Sequence, residues 1–178
     1  MSLKHAILTL LETEEGSGYD LLKRFKDRLG FFWNASHQQI YLQLKKMSEE
    51  GLIEFEHETQ KGKPNRKVYH VTDQGKQTLM DWIHGSVKVD KVNDAMLVKL
   101  YAGHLVNPEV LLAEIQKHTD IHQRMLNTFL ALEQDYLSLD DQEKPQYALP
   151  YLTLRKGILG EQAWLTWAQE VNAYLKQL

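Results

Sequence analysis

The stretch Trp33–Met47, WNASHQQIYLQLKKM, decides how the first half of this chain is read. Ser36 is a good N-cap and Gly51 a good C-cap, so their spacing predicts a helix between them. On a wheel of about 100° per residue, Ile40, Leu44 and Met47 fall within about 60° and form the side to bury. The opposite side presents Gln38, Tyr41, Leu42, Lys45 and Lys46, with His37 and Gln39 at its edges. Amide and imidazole groups bury poorly, and no catalytic partner stands beside them. Composition alone suits a solvated surface helix equally well. The sequence on either side settles the choice.

Upstream, Leu3, Ala6, Ile7, Leu10 and Leu11 keep the i, i+3, i+4, i+7, i+8 spacing of a helix stripe. Glu14–Gly18 breaks it, and Ser17 caps a second helix with Tyr19, Leu21, Leu22, Phe25 and Leu29 on its apolar side, ended by Gly30. Phe31, Phe32 and Trp33 precede the amide-rich helix instead of lining its exposed face, so they are expected in packing, not base stacking. Downstream, LIEFEHE (52–58) and KVYHVT (67–72) predict strands, and QKGKPNR (60–66), with Gly62 and Pro64, a turn. Thr72 then caps a fourth helix in which Leu79 and Ile83 stack. Three helices, a hairpin and a helix make the winged helix-turn-helix plan, in which the third helix enters a major groove.

In that setting the polar face of the third helix is an expected reader of duplex DNA. Gln bonds adenine in bidentate fashion, Lys favours guanine or phosphate, and Leu42 can meet a thymine methyl. Lys61, Lys63, Arg66 and Lys67 fall within seven residues that hold no acid, which suits backbone or minor-groove contact by the wing. The candidate DNA-binding residues are therefore Ser36, His37, Gln38, Gln39, Tyr41, Leu42, Lys45, Lys61, Lys63 and Arg66. The alternative is a winged domain that binds protein partners and not DNA; retention on duplex DNA with log–log salt dependence separates the two.

GYDLLKRF (18–25), FFWNASHQQIYLQLKKMSEEGLIEFE (31–56) and GKPNRKVYHVTDQGK (62–76) resemble, in order, the signature blocks of the PadR family of transcriptional regulators. GFFWNASHQQIY (30–41) is similar to the subgroup whose long helical C-terminal half also resembles virulence activators. Beyond residue 76 the chain matches in pattern alone. The resemblance implies a cytoplasmic homodimer that binds a palindromic operator through its winged domains and dimerises through C-terminal helices. It implies repression more often than activation, commonly relieved by a small molecule, and it gives Tyr41 a phosphate contact, which sets register without specifying sequence.

The second half supports such an assembly by its own pattern. Residues 1–84 make the winged domain, 85–92 (GSVKVDKV) a linker, and 93–178 a helical domain. Asn93 is placed to cap a helix through Leu100 and Tyr101, and Asn107-Pro108 opens a longer one. Leu111, Ile115, His118, His122, Met125, Phe129, Leu132 and Tyr136 then alternate spacings of four and three, a seam that suits a partner helix. A last helix is expected after Pro145 and Pro150, with Leu154, Ile158, Leu165, Ala168 and Leu175 on one stripe. Leu111, Ile115, His118, His122, Met125, Phe129, Leu165 and Ala168 are the expected dimer contacts. His118 and His122 have the spacing of a metal pair, but no third ligand or HExxH motif accompanies them. Trp82, Trp164 and Trp167 offer surfaces on which a small aromatic or phenolic effector can stack.

Bulk properties narrow the classes further. A net charge of −3 argues against wholesale polyanion binding, yet residues 1–85 hold 12 Lys+Arg against 12 Asp+Glu while residues 86–178 hold 9 against 12. Zero cysteines remove disulfides, thiolate metal sites and a cysteine nucleophile, and they suit a reducing cytoplasm. No Gly-rich phosphate loop or G-x-S-x-G is present, so no catalytic residue, metal or cofactor is expected. Met1–Lys4 leads straight into an amphipathic pattern without a signal layout, and no apolar run reaches the roughly 18 residues of a bilayer span. The fold class expected is mainly α with a small β-hairpin wing.

Overall fold

The computed structural model describes residues 3–30, 32–58, 66–89, 91 and 93–178. They fall into two compact units, Met1–Asp90 and Lys91–Leu178. In the first, α1 (Leu3–Thr13), β1 (Gly16–Ser17), α2 (Gly18–Arg24), α3 (His37–Glu49), β2 (Ile53–Glu58), β3 (Arg66–Val71) and α4 (Asp73–His84) follow in order. A π-helical turn, Phe25–Leu29, continues α2 up to Gly30. Ile7, Leu8, Leu21, Ile40, Leu44, Met47 and Ile53 are wholly enclosed at the centre, with Phe25 and Leu79 beside them. Leu8 lies off the expected stripe of α1 but is buried because that helix is packed by α3, α4 and β3 together. Ile83 and Tyr19 depart the other way: both are exposed, and Trp82 takes the expected place of Ile83 against the core.

The stretch read as a simple break between the first two helices is also a strand. Gly16 pairs with Tyr69 and Ser17 with Val68, so the hairpin becomes a three-stranded antiparallel sheet in the order β1-β3-β2. Two residues carry too little alternation to announce a strand in sequence. Across the hairpin, Ile53 opposes Val71, Phe55 opposes Tyr69 and His57 opposes Lys67.

One junction fixes the sheet to α4. Gly51, at φ 70°, turns the chain out of α3 in the left-handed region that glycine enters without penalty. The Thr72 N–H donates to the Leu52 carbonyl at 3.1 Å, and its hydroxyl donates to the Gly51 carbonyl at 2.7 Å. That hydroxyl also caps α4 by accepting from the Gly75 N–H at 3.1 Å. Gly75 is pressed so close that a Cβ there would lie 2.1 Å from the Leu52 carbonyl oxygen and 2.7 Å from Val71 Cγ1. Backbone cannot yield as a side-chain end does. Gly75→Ala is therefore expected to lower unfolding free energy by about 1–3 kcal/mol despite alanine's better helix propensity. A urea midpoint equal to wild type would show that the junction gives way without cost.

The second unit holds α5 (Ala95–Tyr101), a 3₁₀ turn (Gly103–Leu105), α6 (Pro108–Leu137) and α7 (Lys144–Leu175). The cap of α5 is Asp94, not Asn93: its carboxylate accepts from the Met96 N–H at 2.8 Å. α7 begins at Lys144 and runs through Pro150, where the sequence suggests a later start. Pro150 removes one helical hydrogen bond, but the residue after it is held firmly. Tyr151 stacks on Tyr136 with centroids 3.9 Å apart and donates its hydroxyl to Glu133 at 3.0 Å, with Arg155 on the same carboxylate at 2.9 Å.

These contacts make α6 and α7 an antiparallel hairpin. Further along, Gly157 faces Phe129, Trp164 faces His122, and Ala168, Val171 and Leu175 enclose Leu111 and Ile115 with Met96. The seam expected to meet a partner chain is packed in large part within the chain. Leu111, Ile115, Phe129, Leu165 and Ala168 are buried in the chain itself, while His118, His122 and Met125 are half-buried. A 3.5-residue repeat says that a helix lies alongside, not whose helix it is. Among the described residues, no helix is long and apolar enough to cross a membrane.

Candidate nucleic-acid interface

The start of α3 is built by two of the residues assigned to groove contact. Ser36 accepts from the Gln39 N–H at 3.3 Å, and Gln39 Oε1 accepts from the Ser36 N–H at 2.8 Å. This reciprocal capping box satisfies two backbone donors and sets the angle at which the helix leaves its loop. Ser36 and Gln39 therefore frame the face. His37, Gln38, Tyr41, Leu42 and Lys45 are what it presents, all exposed above the enclosed Ile40, Leu44 and Met47. Leu42, 70% exposed, is an apolar group with no partner in the unit's own core. Lys45 and Lys46 lie 3.9 Å and 3.8 Å from Glu49 and Glu50, exposed i,i+4 pairs worth a few tenths of a kcal/mol at most, which a phosphate can displace.

Tyr41 is seated on the first turn of α2. A Cβ on Gly18 would lie 2.6 Å from Tyr41 Cε1, so only glycine leaves room for the ring in this position. Beside Gly18 in sequence, Tyr19 is 73% exposed. Its place in an apolar stripe concealed it: a tyrosine counts as apolar in a periodicity, yet its ring and hydroxyl serve equally at a wet interface. The start of α2 is held by a second capping box. The Ser17 hydroxyl and N–H both donate to the Asp20 carboxylate, at 2.7 Å and 2.9 Å. Those bonds, with Arg66 and Arg24 adding, hold the Asp20 carboxyl below the usual carboxylate range. A depressed folded value means that the box contributes fully above the unfolded-state pKa and is lost as pH falls through the folded one.

Arg66, expected to serve the wing, carries ion pairs of its own. It sits at the base of the hairpin, bonded to Glu58 and lying 3.3 Å from Asp20, so much of its charge is already answered. The bond it donates to Glu58 raises its guanidinium above the ordinary arginine range. Lys61 and Lys63 lie outside the described residues. The register separates the hairpin into two unlike sides: Phe55, His57, Lys67 and Tyr69 on one, Glu54, Glu56, Glu58 and Arg66 on the other. Lys67 lies 3.9 Å over the Phe55 ring, an exposed cation steadied by an aromatic face. Of the three aromatic residues before α3, Trp33 packs against the core, Phe32 is exposed, and Phe31 is outside the described residues.

The remaining candidates separate by unit. Trp82 stacks on His5 at 4.7 Å in the first. In the second, Trp164 stacks on His122 at 3.8 Å and meets Trp167 edge-on at 5.6 Å. His122 Nδ1 lies 2.6 Å from Glu161, and among the described residues no set of three acidic or histidine side chains is placed to hold a metal ion.

Comparison with known proteins gives this geometry a context. Residues 7–81 match the model of the transcriptional regulator PadR-like family, and residues 92–176 match that of the virulence activator alpha C-terminal region. The negative transcriptional regulator PadR of Bacillus subtilis is 34% identical, the alignment covering 97% of each chain. Its crystal structure in complex with operator DNA superimposes with a TM-score of 0.85 over 97% of this chain and 98% of that one, at 32% identity. Its structure with p-coumaric acid gives 0.79, at 30% identity, over 98% and 95%. The Vibrio cholerae virulence activator AphA is similar to the same degree, with a TM-score of 0.79, 33% identity and 99% of both chains covered.

Proposed function

The chain belongs to the PadR-like family of transcriptional regulators, and from that premise we propose that it is a homodimeric repressor that grips a palindromic operator and releases it when a small aromatic acid binds. The observation that carries the DNA reading is the face of α3. His37, Gln38, Tyr41, Leu42 and Lys45 project from a helix whose start is fixed by a capping box and whose back is locked in the core. Groove readers need such rigidity, since a base contact misplaced by an ångström is lost. Residues 1–84 serve as the DNA-binding part, 85–92 as the linker and 93–178 as the dimerising part, in a cytoplasmic protein. The sign of regulation and the aromatic effector follow from the relative that is named a negative regulator and was crystallised with p-coumaric acid.

With the α6 seam packed in large part within the chain, a second copy needs another face. Leu97, Val98, Tyr101, Leu105, Val106 and Val110 are exposed on consecutive elements of the second unit, a concentration of apolar surface that water does not favour. We assign the dimer contact to this face.

Footprinting of genomic DNA with the purified protein tests the proposal, the expected result being protected half-sites about 34 Å apart along the duplex. Gln38→Ala is expected to weaken operator binding by about 1–3 kcal/mol while leaving binding to random duplex nearly unchanged. Equal losses on both, in a competition assay, would remove Gln38 from base reading.

A further inference from the structure

Gly18 is the first helical residue of α2, and nothing in its backbone calls for glycine. Among the described residues the glycine at positive φ is Gly51, so Gly18 holds a conformation open to other residues. Glycine is also the poorest helix former after proline, and alanine would serve the helix better. What excludes a side chain here lies outside α2.

That obstacle is the ring of Tyr41. A Cβ on Gly18 would lie 2.6 Å from Tyr41 Cε1, 3.2 Å from Cζ and 3.3 Å from the hydroxyl oxygen, so its three nearest atoms all belong to one side chain. The contrast with Gly75 is one of kind. There the collision is with a main-chain carbonyl, which cannot yield, whereas the outer half of a tyrosine ring can swing away. An alanine at position 18 would be accommodated by moving Tyr41, with the fold left intact.

Three elements meet at this ring. β1 pairs Gly16 with Tyr69 and Ser17 with Val68, which sets the first turn of α2 beside the base of the wing. The reciprocal bonds of Ser17 and Asp20 fix that turn, and the enclosed Ile40 and Leu44 fix the helix that carries Tyr41. On β3, the half-buried Tyr69 has its phenol pushed up by burial first and by Tyr41 second, which places the two tyrosines in one neighbourhood. Tyr41 nevertheless stays 48% exposed, on the side that carries Gln38, Leu42 and Lys45. Holding an exposed side chain in one place costs entropy, and the gain comes where that side chain meets a partner.

We propose that Gly18 is a positioning residue for DNA binding: the gap at its Cα seats the Tyr41 ring against α2 and holds the hydroxyl within reach of a backbone phosphate of the duplex. The role rests on the reading that α3 enters an operator groove. It gives the two-residue strand β1 and the first turn of α2 a part in placing a contact made from α3. A phosphate contact carries no sequence information, and a neutral hydroxyl releases no counterion as a lysine does. The seat therefore has a signature different from those of Gln38 and of the cations.

The test measures urea unfolding and DNA affinity of the full chain with Gly18→Ala, with Tyr41→Ala and with both. The probes are the genomic fragment protected in footprinting and a random-sequence duplex of roughly 30 base pairs, which spans two half-sites about 10 base pairs apart. Gly18→Ala should unfold at or above the wild-type urea midpoint, yet bind both duplexes about 10- to 100-fold more weakly through loss of a hydrogen bond to a charged group. Its slope of log affinity against log salt should match wild type. Tyr41→Ala should show a similar loss, and adding Gly18→Ala to it should weaken binding no further, since no ring remains to be displaced. A Gly18→Ala midpoint well below wild type would give the glycine to the fold and overturn the role. Unchanged affinity in Gly18→Ala, beside a wild type that binds, would remove the seat and leave the groove reading standing. Further loss in the double variant would put Gly18 itself against DNA, and loss on the protected fragment alone would give the ring a base contact; either overturns the seat. A wild type that retains neither duplex at low salt sinks the groove reading and the seat with it.

Discussion

A fragment ending at Val89 should fold, sediment as a monomer, and bind the operator about 100- to 10,000-fold more weakly than the full chain. Folding follows from closure of the first core: Ile7, Leu8, Leu21, Ile40, Leu44, Met47 and Ile53 are enclosed by residues of that unit alone. The cut belongs before α5 and not after it. Met96 is buried against Leu111 and Ile115, so a fragment extended through Tyr101 would carry a helix stripped of its packing partners. The loss in affinity arises from valence. A single winged domain covers a small contact area, and joining two converts the second half-site encounter into an intramolecular one. Anisotropy titration and sedimentation velocity measure the two halves of the claim. A fragment that sediments as a dimer, or that binds within tenfold of the full chain, would show that the second unit does not hold the pair together.

What the sequence disclosed and what it concealed differ in physical kind. Ile40, Leu44 and Met47 were legible because a helix with one buried side must repeat, and Ser36, Thr72 and Asn107 because an N-cap needs a short side chain that accepts. The hairpin was legible from its turn chemistry. The strand at Gly16–Ser17 was not, since two residues pair through backbone alone. The ion pairs of Arg66 were not legible, because charge in sequence carries no information about Glu58, which reaches it from β2, or Asp20, which reaches it from α2, 46 residues away along the chain. The capping role of Ser36 and Gln39 was hidden for the same reason: a hydroxyl or amide that caps a helix and one that bonds a base or phosphate are the same groups. Tyr19 was hidden by a scale that scores an aromatic as interior. Where a local repeat exists it was recovered; which group each side chain or short strand would meet was not.

The seam of α6 poses that question most sharply, and a pair of substitutions answers it. Ile115 is 0% exposed, enclosed by α5 and α7 of its own chain, so Ile115→Ala should cost about 2–5 kcal/mol of stability in the second unit through lost burial and the cavity left behind. That loss should be nearly independent of protein concentration, because no second copy supplies the missing contacts. Val98 is 69% exposed on α5, so Val98→Asp should leave the single chain folded and nearly unchanged in stability. In the dimer, however, it would bury an unpaired carboxylate in an apolar contact, a cost of several kcal/mol that raises the dimer dissociation constant by about 100-fold or more. Urea unfolding at several protein concentrations, with sedimentation beside it, distinguishes the two behaviours, since only dimer-linked stability moves with concentration. Dissociation of the dimer by Ile115→Ala with helix stability intact would return the seam to the partner. A dimer untouched by Val98→Asp would move the contact off α5. If both behave as expected, α7 fills the groove of α6 within each chain, and the copies meet on the surface that this hairpin leaves bare.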